Sequence, residues 1–320
     1  MRRRRSIIRG THFRYAADKM TKLRVLLSLV TTDNDYQREQ ASAAQAAATQ
    51  AGVDLRVVYA DGDAITQTKQ LLAAAQLPAG ERPDAVVVHP AGTSMPHVAK
   101  AVVQQNVGWV LVNRAAEYVA ELRAKRPTVP VAAIELDNME VGRLQGRQFA
   151  ALLPAGGTVL YLEGPSNSVS KDRRAGALET LPHTIELQSA RGRWTAESGA
   201  QALQIRLGVR GTKLPDLIGS QNDDMAMGAR RTVEALPPGP QRDQWLPIPY
   251  TGVDGVPATG QAWVQQQLLA ATIVTPALAG LAIELLAKAV LSGQPMPART
   301  LVQPVSYPPI DQLRPAVGAP

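Results

Sequence analysis

Residues 216–229, DLIGSQNDDMAMGA, decide the fold of this chain. The first four residues after Asp216 form a short, mostly apolar run typical of a buried strand, and apolar residues then recur at helical spacing. Three hydrogen-bonding side chains, Gln221, Asn222 and Asp223, lie between the predicted strand and the predicted helix. Ligands of open α/β sheets bind just beyond the carboxyl ends of the strands, so this turn is a candidate binding site. The simpler interpretation is an ordinary strand-to-helix turn in which Asp223 caps the helix.

The same strand-then-helix pattern recurs between residues 23 and 307. We predict strands at residues 24–30, 55–60, 85–90, 109–114, 131–137, 158–164, 184–189, 216–220, 250–253 and 269–274, with a last extended stretch at 301–307. We predict helices at residues 36–51, 64–77, 95–106, 139–153, 171–181, 195–207, 224–236, 257–266 and 276–291, and loops at 115–130 and 237–249. Such alternation implies parallel sheets with right-handed crossovers. Because about eleven strands are too many for one doubly wound sheet, we predict an α/β fold of two Rossmann-like lobes, each a parallel sheet flanked by helices.

The composition is that of a globular protein, with 320 residues of which 45% are apolar, no cysteine and no run of 18 apolar residues. Its net charge of +7 comes from residues 1–24, which hold nine Lys or Arg against one acidic residue, so that the rest of the chain carries −1. A nucleic-acid binder carries its basic surface on the folded domain. We therefore expect no nucleic-acid partner.

The basic N-terminal segment, residues 1–21, is expected to be a disordered leader. It does not fit a signal peptide, because only residues 6–8 separate its basic residues, whereas an export signal needs roughly 7–15 apolar residues. Met20 is an alternative start. The residues alone leave a periplasmic and a cytoplasmic location open.

No motif for catalysis or cofactor binding is found. The sequence contains no GxxxxGK[ST], no GxGxxG after a strand, no GxSxG and no HExxH, and its four histidines are dispersed. No nucleophile is paired with a base. We expect neither a metal site nor a cofactor, and we predict that the protein is not an enzyme; an enzyme that processes aldoses is the least favoured alternative.

Polar and aromatic side chains follow nearly every predicted strand. Turn chemistry alone favours Asn and Asp at such places, but together they describe a cleft rich in planar donors and acceptors. A sugar fits this inventory, because carboxylates and Arg bind its hydroxyls and a flat ring packs on its C–H face. Tyr36 and Trp194 are the candidate rings, although Trp194 could equally be a surface aromatic near a helix start. The candidate site residues are Asn34, Tyr36, His89, Asn113, Arg114, Asp137, Lys171, Trp194, Asn222, Asp254 and Thr275.

Several short motifs resemble those of one family. They are QNDDMAMGA at residues 221–229, VDG at 253–255, LDN at 136–138, VNR at 112–114 and AATIVTP at 270–276. With these motifs the chain resembles the type I periplasmic sugar-binding proteins, the ribose-binding-protein-like family, over about residues 22–307. LacI-type repressors share the fold in their ligand domains.

The resemblance implies two lobes joined by three crossover strands, with the ligand enclosed by hinge closure. The crossovers would fall near residues 136–137, 275–276 and 303–304. The N-terminal lobe would then comprise residues 22–136 plus 276–303. The C-terminal lobe would comprise residues 137–275 plus 304–310, followed by a tail at 311–320.

The resemblance also assigns roles to individual residues. In the first loop, Asn34 is the polar residue and Tyr36 the stacking residue, while Gln37 stands in place of a second aromatic. Asn113 and Arg114 match the usual Asp-Arg pair, with Asn in place of Asp. Further along the chain, Lys171 stands where an Arg commonly grips the sugar, Trp194 replaces a stacking Phe, Asn222 and Asp254 are hydrogen-bonding positions, and Thr275 replaces a frequent Gln. These departures argue against ribose itself as the ligand.

The function that this resemblance implies is a monomeric periplasmic receptor that delivers a sugar or polyol to an ATP-binding-cassette importer. The chain before residue 23 is too short for a helix-turn-helix domain, which argues against a repressor. The alternative is a sensor or regulator that uses the same ligand-binding domain without transport.

Overall fold

The computed structural model describes residues 22–92, 95–114, 116–209 and 213–315, and it arranges them around two larger β-sheets, the second of which is accompanied by a two-stranded sheet. The strands of the first sheet are β1 (Arg24–Leu29), β2 (Asp54–Tyr59), β3 (Ala85–Val88), β4 (Gly108–Val112), β5 (Val131–Leu136) and β11 (Arg299–Val302). They are all parallel and lie in the order β11-β5-β4-β3-β1-β2. Every residue of β3, β4 and β5 is buried, as expected for central strands that are covered on both faces.

Helices cover both faces of this sheet. They are α1 (Asp35–Ala51), α2 (Ala64–Ala75), α3 (Pro96–Gln104), α4 (Tyr118–Lys125) and α11 (Leu278–Ser292). One apolar core joins the sheet to α1 and α11, and a second joins it to α2, α3 and α4. Helix α4 lies in a segment predicted to be a loop. Only Val119 and Leu122 of α4 are buried, so its apolar periodicity is too short to recognise.

The second sheet contains β6 (Gly157–Glu163), β7 (Ile185–Arg191), β8 (Leu217–Ser220) and β9 (Tyr250–Thr251). Beside it, β10 (Thr272–Val274) and β12 (Val305–Tyr307) form a two-stranded sheet. Strands β7-β6-β8-β9 are parallel, and single bridges connect β10 to the segment of β9. The short strand β12 pairs antiparallel with β10. The predicted α/β fold of two lobes with parallel sheets flanked by helices is confirmed, and the antiparallel β10–β12 pair is an addition to it.

Six helices accompany the second sheet. They are α5 (Asn138–Leu152), α6 (Ser168–Thr180), α7 (Ala196–Gly208), α8 (Asp223–Glu234), α9 (Pro240–Trp245) and α10 (Ala262–Gln265). Helices α7 and α8 belong to one apolar core, and α5 belongs to the other. The Pro-rich segment predicted to be a loop contains α9. The helix predicted at 257–266 is a π-helical turn, Pro257–Gln261, followed by α10.

The chain passes between the two sheets three times. It leaves the first sheet after β5, returns after β10 to form α11 and β11, and crosses again between β11 and β12. The stretch predicted as one extended segment at 301–307 is therefore two strands, one in each sheet. The exact bounds of the two lobes stay a prediction, as do the leader and the tail; residues 1–21 and 316–320 lie outside the described residues.

Two glycines let α5 and α6 pack at very short distance. A Cβ on Gly142 would overlap the carbonyl oxygen of Arg173, and one on Gly176 would overlap that of Met139. This backbone contact fixes the height of α6 beside the sheet, and with it the position of Arg173. Among the described residues, no helix combines the length and apolar character that crossing a membrane requires.

Candidate ligand-binding cleft

The carboxyl ends of the strands of both sheets face each other across a cavity of about 380 Å³. This volume lies within the range of small-molecule sites. Eight of the eleven predicted site residues line it: Asn34, Tyr36, His89, Asn113, Arg114, Trp194, Asn222 and Asp254. A larger, more open depression of about 620 Å³ lies between α1 and α11, but it is lined by residues of these two helices alone and is remote from the strand ends. The smaller cavity is the candidate site because several polar groups converge on it.

The other three predicted residues do not line the cavity. Asp137 caps α5, since its Oδ1 accepts from the Glu140 amide at 2.9 Å. Thr275 is buried behind the cavity wall, and its hydroxyl donates to the Asp254 carbonyl at 3.4 Å. Lys171 is exposed to solvent.

The cation that lines the cavity on α6 is Arg173, which the sequence analysis missed. The predicted helix starts at residue 171, whereas α6 starts at Ser168 with Asn167 as its cap. In a helix, residues two apart point to nearly opposite sides, so Lys171 and Arg173 exchange roles. The Asn167 cap is the signal that would have given the correct start.

The face of the cavity formed by the first sheet carries a chain of neutral side chains. The Gln37 amide lies 2.6 Å from Nδ1 of His89, and the Asn113 amide lies 3.0 Å from Nε2. The Val30 backbone N–H donates to Gln37 Oε1 at 2.9 Å. Burial, and secondarily the charge of Arg114, lowers the pKa of His89 to about 3. The imidazole is therefore neutral at physiological pH.

Tyr36 completes this face as its aromatic residue. Its ring meets the His89 ring edge-on, with centroids 5.8 Å apart and an interplanar angle of 80°. Burial raises the pKa of the Tyr36 hydroxyl, and the nearby Asp254 carboxyl raises it further. The phenol thus stays protonated and can donate as well as accept a hydrogen bond.

The face formed by the second sheet carries charged groups. Arg173 donates through Nε to Asn138 Oδ1 at 3.0 Å and through Nη1 to the Gln221 carbonyl. Its guanidinium lies 5.6 Å from the centre of the Trp194 ring. Asp254 is 7% exposed, and burial raises its pKa well above the usual range, an effect that the charge of Arg173 opposes. Among the described residues, no side chain or amide donates to its carboxylate.

Three helices begin at the cavity, each capped by an asparagine that lines it. Oδ1 of Asn34, Asn167 and Asn222 accepts from the backbone N–H three residues later, in α1, α6 and α8 respectively. Asn222 also donates to the Trp194 carbonyl at 2.9 Å. Each cap fixes the orientation of its amide, so the helix starts position polar groups around the cavity.

The predicted cap of α8, Asp223, is not the cap. Asn222 has that role, and the buried Asp223 carboxyl instead accepts from the Gly255 amide at 2.8 Å and the Thr272 hydroxyl at 2.7 Å. It thereby supports the turn that carries Asp254. Burial raises the pKa of Asp223 to about 8.

Three cavity residues have left-handed backbone conformations. The φ angles are 74° at Asn113, 69° at Trp194 and 109° at Asp254. Such conformations cost roughly 1–2 kcal/mol or more each for residues other than glycine. Their concentration at one cavity indicates that the fold holds these side chains in place for a function.

A hydrogen bond also crosses the rim of the cleft. The Asp35 amide at the start of α1 donates to Oδ2 of Asp224 on α8 at 2.9 Å. Burial raises the pKa of Asp224 to about 6, and the bond from Asp35 acts in the opposite direction. This contact joins the two sides in the conformation described.

A family model for the periplasmic binding protein domain matches residues 25–295. The chain belongs to the periplasmic binding protein domain family. Comparison with curated protein sequences gave no significant match.

Solved structures of periplasmic binding proteins share this fold. A solute-binding protein of an ABC transporter from Actinobacillus succinogenes, with bound D-allose, is 22% identical with a TM-score of 0.74, over 89% of this chain and 97% of that chain. The myo-inositol-binding protein of Caulobacter, bound to myo-inositol, is 21% identical with a TM-score of 0.74, over 91% of this chain and 95% of that chain. The fructose-binding periplasmic domain of a hybrid two-component system is 20% identical with a TM-score of 0.72, over 89% of this chain and 90% of that chain.

Proposed function

We propose that this protein is a receptor that encloses a sugar or polyol between its two lobes and delivers it to an ATP-binding-cassette importer. The observation that carries the proposal is the cavity between the two sets of strand ends, with an aromatic ring, hydrogen-bonding amides and at least one Arg on each side. Family membership and the D-allose and myo-inositol complexes of similar proteins support it.

The cleft suits a polyhydroxylated ligand for physical reasons. In its ionised form, which the charge of Arg173 favours, the Asp254 carboxyl can accept from two hydroxyls, in charge-assisted bonds that contribute about 1.5–3 kcal/mol each. The Trp194 and Tyr36 rings provide flat apolar surfaces for the C–H faces of a sugar. The guanidinium groups of Arg114 and Arg173 supply donors to hydroxyl oxygens.

Contacts from both lobes would couple binding to closure. A ligand shifts an equilibrium between conformations only by its different affinity for the two, and the enclosed state brings Asn113 and Asp254 to the same ligand. Small-angle scattering should therefore give a smaller radius of gyration once a ligand is added. An unchanged radius at saturation would contradict closure.

A thermal-shift screen tests the proposal directly. D-allose, L-arabinose, fructose, myo-inositol and glycerol would be compared with amino acids and dicarboxylates of similar size. A ligand that binds only the folded protein stabilises it by about 2.7 kcal/mol at a hundred times its Kd, so the melting temperature rises. We expect at least one sugar or polyol to raise it. A rise with amino acids alone would contradict the proposed ligand class.

Delivery to a permease, a periplasmic location and a monomeric state belong to the same proposal. Uptake of the identified ligand should fall in cells that lack the protein, and cell fractionation should find the protein outside the cytoplasm. The alternative is a sensor, as the similar domain of a hybrid two-component system indicates. Unchanged uptake in cells that lack the protein would favour that alternative, and recovery of all the protein from the cytosol would contradict the periplasmic location. We further propose that the ligand is released unchanged, which chromatography after long incubation can check.

A further inference from the structure

The direction of hydrogen bonding on the first-sheet face is fixed at its inner end. The Val30 backbone N–H donates a hydrogen bond to the Gln37 side chain at 2.9 Å. The atom that receives it must be the amide oxygen Oε1, because the amide nitrogen cannot accept. Gln37 therefore presents its amide nitrogen to Nδ1 of His89, 2.6 Å away. Because that nitrogen donates, Nδ1 accepts and carries no proton.

The protonation of His89 in turn fixes the direction of its hydrogen bond with Asn113. The imidazole is 6% exposed, with the Tyr36 ring at its edge and the Arg114 cation nearby, and neither group favours a charged imidazole. A neutral imidazole has one N–H, which must be on Nε2 when Nδ1 accepts. The Asn113 amide nitrogen is placed 3.0 Å from Nε2, but an Nε2 that carries the proton needs an acceptor. The amide is therefore turned by 180°, so that Asn113 receives this hydrogen bond on its oxygen.

The remaining Asn113 NH2 group then points away from His89. The end of the amide opposite His89 has no hydrogen-bond partner among the described residues, although the side chain is only 6% exposed. Asn113 lines the cavity, and its left-handed backbone, with φ of 74°, holds it there. A buried amide N–H without an acceptor is destabilising, so a bound ligand is the group that would satisfy it.

We propose that Asn113 is a specificity-determining residue that donates a hydrogen bond to the ligand, with Gln37 and His89 as the positioning residues that fix this direction. The inference rests on the proposed function, since it concerns the ligand of the same cleft. The Asp that the family resemblance leads one to expect at this position can only accept when ionised, so Asn113 reverses the polarity of this contact.

The reversal defines the chemistry of the ligand at this edge. Arg114 is adjacent, with Nη1 donating to the Gly92 carbonyl at 2.7 Å and Nε unpaired among the described residues. Asn113 and Arg114 thus both offer N–H groups, and they favour an oxygen without a proton. A ring ether oxygen and a carboxylate oxygen share this chemistry, whereas the hydroxyls of the same ligand fit the Asp254 carboxylate opposite.

The tautomer of His89 can be measured without any ligand. Nitrogen-15 NMR of histidine-labelled protein, with the His89 signals assigned by their loss in His89→Gln, should show an Nε2–H tautomer that does not titrate between pH 5 and pH 8. An Nδ1–H tautomer or an imidazolium in this range would overturn the proposal, because Asn113 would then not be fixed as a donor to the ligand.

Calorimetry with three probes tests the consequence. D-allose offers a ring oxygen, D-galacturonate adds a carboxylate, and myo-inositol offers only hydroxyls. We expect the wild-type protein to bind one of the first two at least tenfold more tightly than myo-inositol, and Asn113→Asp to reduce that preference at least tenfold. D-allose and D-galacturonate separate the two possible acceptors.

An unchanged preference in Asn113→Asp, with the melting temperature also unchanged, would overturn the assignment of Asn113. If none of the three probes binds, that result counts against the proposed function for these compounds. The His89 tautomer then still shows whether Asn113 presents a donor or an acceptor to the cavity. His89→Leu, which removes the ring but leaves Asn113 in place, should reduce the same preference.

Discussion

The two faces of the cleft use different means to present polar groups. On the first-sheet face, Gln37, His89 and Asn113 bond to one another as neutral groups. On the second-sheet face, Arg173 and Asp254 are ionisable groups in the same buried environment. The difference is that a chain of neutral amides fixes direction at little cost, whereas a buried charge interacts strongly but needs a partner. We infer that the first face discriminates between ligands and the second supplies affinity.

The energetic cost of burying ionisable groups on the second-sheet face appears in the pKa values of its carboxyl groups. Burial raises the pKa values of Asp223 and Asp254, and the charges of neighbouring acidic side chains raise both values further. The neutral groups Gln37, His89 and Asn113 avoid this penalty; Arg114, a cation on the first-sheet face, has a pKa that burial lowers. The stability of the protein should therefore depend on pH through the second face far more than through the first.

The largest expected effect is on this pH dependence. Asp223 has a pKa of about 8 in the folded protein, above its value when unfolded, so between about pH 4 and pH 8 the folded state binds more protons. The free energy of unfolding then falls as pH rises, by up to about 1.4 kcal/mol per pH unit. Asp223→Asn, which can still accept from Gly255 and donate to Thr272, should remove the part of this fall that comes from Asp223. The parts from Asp224 and Asp254, whose pKa values burial also raises, should remain. Urea denaturation at pH 5 and pH 8 measures it.

A matched control is Asp243→Asn on the exposed side of α9, which should leave the pH dependence as in the wild type. Equal slopes in wild type and Asp223→Asn would show that Asp223 titrates as an ordinary surface carboxyl. The contrast between the two faces would then lose its energetic basis.

The next effect concerns affinity. Asp254→Ala removes a buried carboxylate that receives no hydrogen bond from the described residues, and we expect ligand binding to weaken by about 2 kcal/mol or more, roughly 30-fold. Calorimetry with the ligand found in the thermal-shift screen measures the change. Asp61→Ala is the control, because Asp61 also has a left-handed backbone, with φ of 50°, but is exposed and outside the cavity. Equal affinities in the two variants would refute the role of Asp254.

Trp194 can be tested by displacement as well as by removal. Trp194→Ala should weaken binding by about 2 kcal/mol through lost ring contact. A Cβ on Gly164 would overlap the Trp194 ring, so Gly164→Ala should shift the ring and weaken binding by a smaller amount. Gly208→Ala is the control, since a Cβ there meets no atom within 4 Å. Unchanged affinity in both Trp194→Ala and Gly164→Ala would exclude stacking on this ring.

The sequence predicts the fold well because its signals are local and repeated. Strand-to-helix alternation and buried valine runs such as β3 specify two parallel sheets without any knowledge of tertiary contacts. The helix α4 and the division of residues 301–307 between two sheets were missed, because the first has too few buried residues and the second depends on strand pairing across the molecule.

The site was predictable only where a strand end alone determines position. Asn113, Asn222 and Asp254 lie within three residues of a strand end, and the structure places them at the cavity. The hydrogen-bonded chain of Gln37, His89 and Asn113 joins three segments that are separate in sequence. Its hydrogen-bond direction is fixed by the contact with Val30, so no local sequence pattern could reveal it. Arg173 was missed because the resemblance assigned the sugar-binding cation to Lys171, which lies two residues earlier and on the opposite side of α6.

The exchange of Lys171 for Arg173 leads to the prediction with the smallest effect. It tests whether ligand binding depends on the charge of Arg173 or on the planar geometry of its guanidinium group. Arg173→Lys keeps the charge but loses the planar group that bonds Asn138 and Gln221 and lies over Trp194, so binding should weaken by about 1 kcal/mol. Lys171→Ala, on the opposite side of the same helix, should leave affinity within about 0.5 kcal/mol, as exposed substitutions usually do. Calorimetry on both variants compares them directly. A larger loss in Lys171→Ala than in Arg173→Lys would restore Lys171 as the ligand-binding cation and would show that α6 turns its other side to the ligand.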